Sequence, residues 1–331
     1  MAIKKVPERP ADISSMVTVV IRSSGERTER LCRELILAQG QPEDSIFTVR
    51  QTPFSLALAQ GFEIGIRENR KWTLYVDADV LLRRHAIQLL VERAESLPEN
   101  VCEVQGLVLD KFFGAPRTAG NHLYRTVLLD QALSKIPEEG VDIRPETYTL
   151  NKMAENGYRW VTIEATIGLH GFQQHPRDIF RTCFVHAHKH SSLVPFFLEY
   201  WRSEASQDID FRIALAGLGA GISHTESVRI DRTESYFDPS RFLGMSQTIE
   251  EIDESEWSPS KIESIIRATK APNLYWDFFP WGQLARPGNP LRSILVFLTL
   301  HVPRVGMWTA LTALAGRFFK KHGSLSNPKR P

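Results

Sequence analysis

Cysteine is scarce in this chain. Cys32, Cys102 and Cys183 are odd in number and far apart across 331 residues, which excludes a disulfide framework and leaves no set of thiols for a zinc site. They read as buried thiols in a reducing compartment. Net charge is nearly absent too: the formal value is +1, so no global field draws the chain to nucleic acid, and no basic-aromatic RNA signature is present. Residues 1–15 are polar and proline-bearing without an apolar stretch, so no signal peptide is expected and the segment reads as a disordered tail. No internal repeat or long low-complexity tract occurs. What remains is a chain long enough to bury a substantial core, with one catalytic domain plus additions.

Also missing is an unbroken apolar run that spans a bilayer. Leu291 to Val302 is too short for a hydrocarbon core of roughly 30 Å, and Pro303-Arg304 interrupts the run before Met307 to Phe319 resumes it. One continuous span would bury His301 and Arg304, which is costly. Two shorter helices at a membrane surface fit better, with Arg292, Arg304, Arg317, Lys320 and Lys321 reaching anionic headgroups. The expectation is peripheral contact at the inner face of the cell membrane by a cytoplasmic protein. An intramolecular or dimer core is the competing use of the segment.

The densest chemistry lies in Trp72 to Leu82. Leu74, Tyr75 and Val76 are β-favouring and follow the polar cluster Glu68-Asn69-Arg70-Lys71, so the run predicts a short buried strand that ends in Asp77-Ala78-Asp79. Paired carboxylates of this kind hold Mg²⁺ or Mn²⁺, usually with substrate phosphates completing the shell. Ligands of open α/β sheets collect at the carboxyl ends of strands, so Asp77 and Asp79 are candidate ligands of a divalent cation. A capping or solvated acidic turn is the plainer reading.

Upstream, Val17 to Ile21 is a β-branched run followed by the turn Arg22-Ser23-Ser24-Gly25. Leu31, Leu35, Ile36 and Ala38 recur at helical spacing from Glu26 to Gln39, with Gly40 and Pro42 closing the helix. Ile46 to Val49 predicts a second strand and Phe54 to Arg67 a second helix. The order β-α-β-α-β implies a parallel sheet with right-handed crossovers.

This layout resembles the family 2 glycosyltransferases. The matching residues are Val17 to Ile21 with Arg27 shortly after, Ala57-Leu58-Ala59-Gln60-Gly61, and Tyr75-Val76-Asp77-Ala78-Asp79. The resemblance covers roughly the first half of the chain. Where the family carries an acidic residue after the second strand this sequence has Arg50-Gln51, and where it favours Asn this one has Gln60. The resemblance implies an α/β class of the GT-A (nucleotide-diphospho-sugar transferase) fold, with a mostly parallel central sheet flanked by helices. It implies donor contacts from Arg22, Ser23, Arg27, Gln51 and Asp77, and inversion at the anomeric carbon.

Farther along, Ala86 to Leu97 predicts a helix, Cys102 to Leu109 a strand, and the Gly, Pro and Ala-rich stretch 112–121 a loop over the site. Val141 to Thr147 leads into a helix ending at Asn156, then a Gly157-Tyr158 turn into a strand. In the resembled family an acidic residue before such a helix often deprotonates the acceptor hydroxyl, which makes Glu146 the first candidate base and Asp142 the second. Glu146 also fits a plain macrodipole role in the first turn. His186, His188 and His190 share one face if their segment is extended. Because the resembled enzymes often complete their metal site with a later His, His186 or His188 is the candidate third ligand; a polar surface turn or direct phosphate contact is the alternative.

From Leu193 a helical region runs through Leu218 to a Gly217–Gly221 turn, and Ser260 to Ala268 predicts another helix. Trp276 to Trp281 is dense in aromatics: packing between a tail and the catalytic domain is the expectation, with stacking on a sugar or insertion in a membrane interface as the alternative. The organisation expected is a tail at 1–15, a catalytic domain at 16–190, a mainly helical C-terminal extension at 191–288, an apolar segment at 289–322 and a tail at 323–331. The function expected is transfer of a sugar from a nucleotide-diphosphate donor to a glycan or lipid-linked acceptor, with Mn²⁺ or Mg²⁺. Two alternatives stand beside it: a haloacid-dehalogenase-like phosphohydrolase, which also places Asp-x-Asp after an apolar strand, and a non-catalytic sugar-nucleotide-binding protein.

Overall fold

β-branched and aromatic runs set the frame of the chain. A computed structural model describes residues 13–230, 234–237 and 256–269. The opening run forms β1 (Val17–Arg22), every residue of it buried, and helix α1 (Glu29–Leu37) returns to β2 (Ile46–Val49). Helix α2 (Phe54–Glu68), closed by Asn69 in the left-handed conformation, then leads to β3 (Trp72–Asp77). After β3 come β4 (Val80–Leu82), α3 (Ala86–Glu95), β5 (Val101–Asp110), β6 (Ala115–Thr118) and β7 (Asn121–Arg125). Helices α4 (Leu129–Leu133) and α5 (Pro145–Glu155) precede the long β8 (Arg159–His170).

The strands form one sheet in the order β2-β1-β3-β7-β5-β8-β4, with β6 paired to β5. β1 is parallel to β2 and β3, β7 is antiparallel to β3 and β5, and β8 is parallel to β5. β1, β2, β3, β5 and β8 therefore point one way, and among the described residues β4, β6 and β7 oppose them. This is the expected α/β class with a mostly parallel central sheet. One face packs Val19, Ile21, Leu74 and Val76 against α1 and α3, the other Val20, Tyr75 and Tyr124 against α2, α4 and α5. On the second face Phe62, Tyr75 and Tyr124 meet edge to face with centroids 5.2–5.4 Å apart. All three cysteines are buried free thiols.

Helices α6 (Pro176–Lys189), α7 (Val194–Glu204) and α8 (Ile209–Ser223) build a separate aromatic core with Phe112 and Phe113, and α9 (Pro259–Ala268) lies beside β4 and β8.

Three local expectations need correction, and the helical region expected from Leu193 is present as two helices. The segment holding His186, His188 and His190 is helical, because Pro176 at the first helical position and Asp178 in the first turn start a helix that continues to Lys189. The stretch 112–121 is not one loop: Asp110 accepts from the Phe112 and Phe113 amides at 2.8 and 3.1 Å, turning the chain back into β6. Helix α7 and helix α8 are separate, with Asp208 capping the second through the Asp210 amide at 2.9 Å. The glycines 217–221 lie inside α8 rather than in a turn. A Cβ on Gly217 or Gly221 would stand 2.4 Å from the Phe180 or Phe184 carbonyl oxygen, so these glycines let α8 lie against α6.

The apolar stretch 291–319, the aromatic cluster 276–281, residues 1–12 of the first tail and the whole of the last tail lie outside the described residues. Among the described residues no helix is long and apolar enough to cross a membrane.

Candidate functional site

Parallel strands bring their carboxyl ends together, and here that edge carries charge. Arg22 ends β1, Asp77 ends β3, and the two are register partners. The guanidinium donates from Nε to Asp77 Oδ1 at 2.8 Å, with a second nitrogen at the same distance, and its third nitrogen donates to Glu146 Oε1 at 3.0 Å. Arg22 is almost fully buried between Phe54 and Tyr75, its guanidinium carbon 5.1 and 6.0 Å from their ring centres. Burial works against its charge, but Asp77 and Glu146 outweigh that and raise its pKa.

The turn after β3 is held by backbone. The Ala78 amide donates to the Arg22 carbonyl at 2.9 Å, Thr28 Oγ1 donates to the Ala78 carbonyl at 2.8 Å, and the Asp77 amide donates to Gly120. Gly120 has φ of +56°, and a Cβ there would stand 2.9 Å from Asp77 Oδ2. This turn delivers Asp79 to β4, whose Val80 is the register partner of His170 at the end of β8. His170 Nε2 lies 3.4 Å from Asp79 Oδ2, and its Nδ1 lies 2.7 Å from Asp110 Oδ2. Asp110 also accepts from Arg117 Nε at 2.6 Å.

The charges of this group are coupled. Burial pushes Asp79 up to about 6, with Asp77 and Glu26 adding to the push and His170 and Arg181 opposing it. Burial alone would lower His170, but Asp79 and Asp110 raise it. Asp110 is also buried, yet Arg117 and His170 hold it well below the usual carboxylate range. A carboxylate on Nδ1 that leaves Nε2 aimed at the site is how proteins orient a ligating histidine.

Asp77, Asp79 and His170 line a cavity of about 310 Å³, together with Arg22, Ser23, Gln51 and Phe54 from the β1 and β2 edge. Arg117 and Gly120 add a further part of the wall, and α6 supplies Arg181, Val185, His186 and Lys189. Burial, with Arg144, Arg117 and Arg181 nearby, lowers Lys189 to about 7.

Of the residues predicted from sequence, Arg22, Ser23, Gln51, Asp77, Asp79 and His186 meet around this cavity. The others do not. Arg27 reaches Gln173 at 3.4 Å. His188 stacks on Phe184 with centroids 5.7 Å apart and faces His224, because two residues along a helix turn the side chain to another face. His186 does border the cavity, but it packs against Phe113 and Phe197, and burial depresses its pKa well below the ordinary imidazole value. His170, not His186 or His188, is the histidine beside Asp79.

Glu146 stands behind Arg22 and outside the cavity wall. Its second oxygen lies 2.9 Å from His122 Nε2, and His122 Nδ1 lies 2.9 Å from the buried Glu103. Burial opposes ionisation, but Arg22 and His122 hold Glu146 at about 2, which makes it a poor proton acceptor. Asp142 is exposed and accepts from the Arg144 amide at 2.6 Å. Arg50, after β2, pairs with Glu29 at the surface.

Among the described residues no group of three or more His, Cys, Asp or Glu side chains is arranged to hold a metal ion by itself. Asp79 and His170 form a two-residue donor set. Such a set suits Mg²⁺ or Mn²⁺ when substrate phosphates supply the remaining oxygens.

No family model matches the sequence, and no curated protein matches it. Among solved structures the chain is similar to a glycosyltransferase involved in glycosylation of the major capsid of PBCV-1, at 12% identity over 47% of this chain and 94% of that one, with a TM-score of 0.33. It is similar to a mannosyltransferase from Pyrobaculum calidifontis in complex with GDP-Man and Mn²⁺, at 14% identity over 64% and 76%, with a TM-score of 0.35. A third is the CMP:2-keto-3-deoxy-manno-octonic acid synthetase complexed with CTP, at 11% identity over 46% and 91%, with a TM-score of 0.32. Likenesses of this size leave the functional reading to the residues of the site.

Proposed function

We propose that the chain is a nucleotide-sugar-dependent glycosyltransferase of the family 2 type, using a divalent cation and inverting the transferred sugar. The observation that carries the reading is the Asp110–His170–Asp79 arrangement beside Asp77, at the carboxyl ends of the strands and in one cavity. Asp79 and His170 would hold Mn²⁺ or Mg²⁺, and the ion, when bound, supplies Lewis-acid neutralisation of the departing diphosphate. Asp79 and Asp110 raise the proton affinity of His170, so an ion held there would compete with a proton. Arg22 fixes Asp77, and Asp110 fixes the imidazole of His170. Ser23, Ser24, Gln51 and Thr52 offer polar groups for the nucleotide along the β1 and β2 edge. Glu146 is a positioning residue here, acting through Arg22; an acceptor base at this residue would have to give up both of its partners.

A glycan or lipid-linked acceptor, and peripheral attachment to a membrane through 291–319, belong to the same proposal. The phosphohydrolase alternative has less support, because two strand-helix units precede the strand that ends in Asp77, and Arg22 already holds one oxygen of that carboxylate. The test is turnover against a panel of sugar nucleotides, with Mn²⁺ and with EDTA. Release of nucleoside diphosphate that needs the metal and vanishes in Asp79→Ala supports the transferase. Metal-dependent binding without release identifies a non-catalytic binding protein.

A further inference from the structure

Helix α6 brings unmatched positive charge to the cavity. Arg181, Val185 and Lys189 recur every four residues and so share one helix face, and all three line the cavity with His186 beside them. The carboxylates of the same cavity are already engaged. Asp77 is held by Arg22, Asp79 by His170, and Glu26 accepts from Ser23 and Ser24.

The α6 side chains lack such partners. Among the described residues Lys189 makes no ion pair, and its charged neighbours are chiefly cations. Arg181 donates to the Ile230 carbonyl at 3.4 Å, while its Nε is buried with no partner. His186 is 5% exposed, and both of its ring nitrogens lack a partner. Buried donors and crowded like charges are costly unless a ligand supplies acceptors.

We infer that the α6 wall formed by Arg181, His186 and Lys189 is a second anion subsite, which takes a phosphate group carried by the acceptor. The inference rests on the transferase reading in one respect: the donor diphosphate is matched by a divalent cation at Asp79 and His170, which leaves these two cations unneutralised. Two cationic side chains and an imidazole suit a phosphate, which accepts from several donors at once.

Calorimetric titration of the full chain with inorganic phosphate tests this, alone and again after saturation with UDP or GDP and Mn²⁺. Phosphate is expected to bind in both conditions at one site, with Lys189→Gln and Arg181→Gln each weakening it at least tenfold and Lys189→Arg retaining most of it. Thermal melts of the four proteins show that each is folded. No phosphate binding by the wild type, or equal binding by Lys189→Gln, overturns the subsite. Loss of phosphate binding once nucleotide is present overturns the acceptor assignment and gives the wall to the donor diphosphate. If neither nucleotide binds but phosphate binds in a Lys189-dependent way, the transferase reading loses its support and the subsite stands.

Discussion

Arg22 and Asp77 end adjacent parallel strands as register partners, and two guanidinium nitrogens share one carboxylate oxygen at 2.8 Å. Neither group is independent. Through Glu146 the pair continues to His122 and Glu103, so five ionisable side chains run from the sheet interior to the cavity edge.

Arg22→Ala leaves Asp77 and Glu146 facing each other without the cation between them. Removing one partner of a buried ion pair typically costs about 3–5 kcal/mol, and urea denaturation is expected to show a loss of that size. Arg22→Lys should recover only part of it, because an ammonium cannot reproduce the three-nitrogen fork. Stability of Arg22→Ala within about 0.5 kcal/mol of wild type, as for an ordinary surface substitution, contradicts the role given to the pair.

His122 has its ordinary pKa of 6.5 raised to about 10: burial opposes the charge, but Glu146 and Glu103 on its two nitrogens prevail. A group raised in the folded state contributes stability that is complete below about pH 6.5 and is lost as pH rises through about 10. Nitrogen-15 spectra should show His122 doubly protonated at pH 8. Glu146→Gln should move its titration to lower pH. A neutral His122 ring at pH 8 rules the arrangement out.

Metal loading competes with protons at Asp79 and His170. Because Asp79 sits at about 6 and His170 is raised, Mn²⁺ and donor affinity should fall as pH drops through 6, with proton release on binding. His170→Ala and Asp110→Asn should each weaken metal-dependent donor binding about 10–100-fold, the second by freeing the imidazole. Affinity that is flat between pH 5 and 8 in titration calorimetry contradicts this assignment.

Gly217→Ala and Gly221→Ala should each destabilise the fold by about 1–3 kcal/mol or more, since the added methyl meets α6 backbone rather than a movable side chain. Gly219, which has open space around it, is the control: Gly219→Ala should be neutral or stabilising. Chemical denaturation of the three variants distinguishes the positions.

Local patterning carries much of this fold. The Val17 to Ile21 and Ile46 to Val49 runs, and the Phe54 helix, are legible because burial, β-branching and helical spacing agree along consecutive residues. Asp77 and Asp79 are legible because they follow a strand. His170 is not: it ends a twelve-residue strand whose pairing with β4 alone brings it to Asp79. Asp110, Arg117 and Lys189 join the site through the same long-range contacts. His186, His188 and His190 satisfy a period of two by chance of spacing, while Pro176 and Asp178 ten residues earlier fix the helix that turns His188 away and leaves the His186 and His190 rings together, 5.1 Å apart. Gly217 to Gly221 resembles a turn until the closeness of α6 explains why side chains are excluded there.

The measurement closest to the central claim is nucleoside diphosphate release from a panel of sugar nucleotides, by wild type and Asp79→Ala, with Mn²⁺ and with EDTA. The account predicts release from at least one sugar nucleotide with Mn²⁺, and none with EDTA or in the variant. Turnover that persists in EDTA and in Asp79→Ala, or hydrolysis of simple phosphomonoesters with no turnover of any sugar nucleotide, contradicts it.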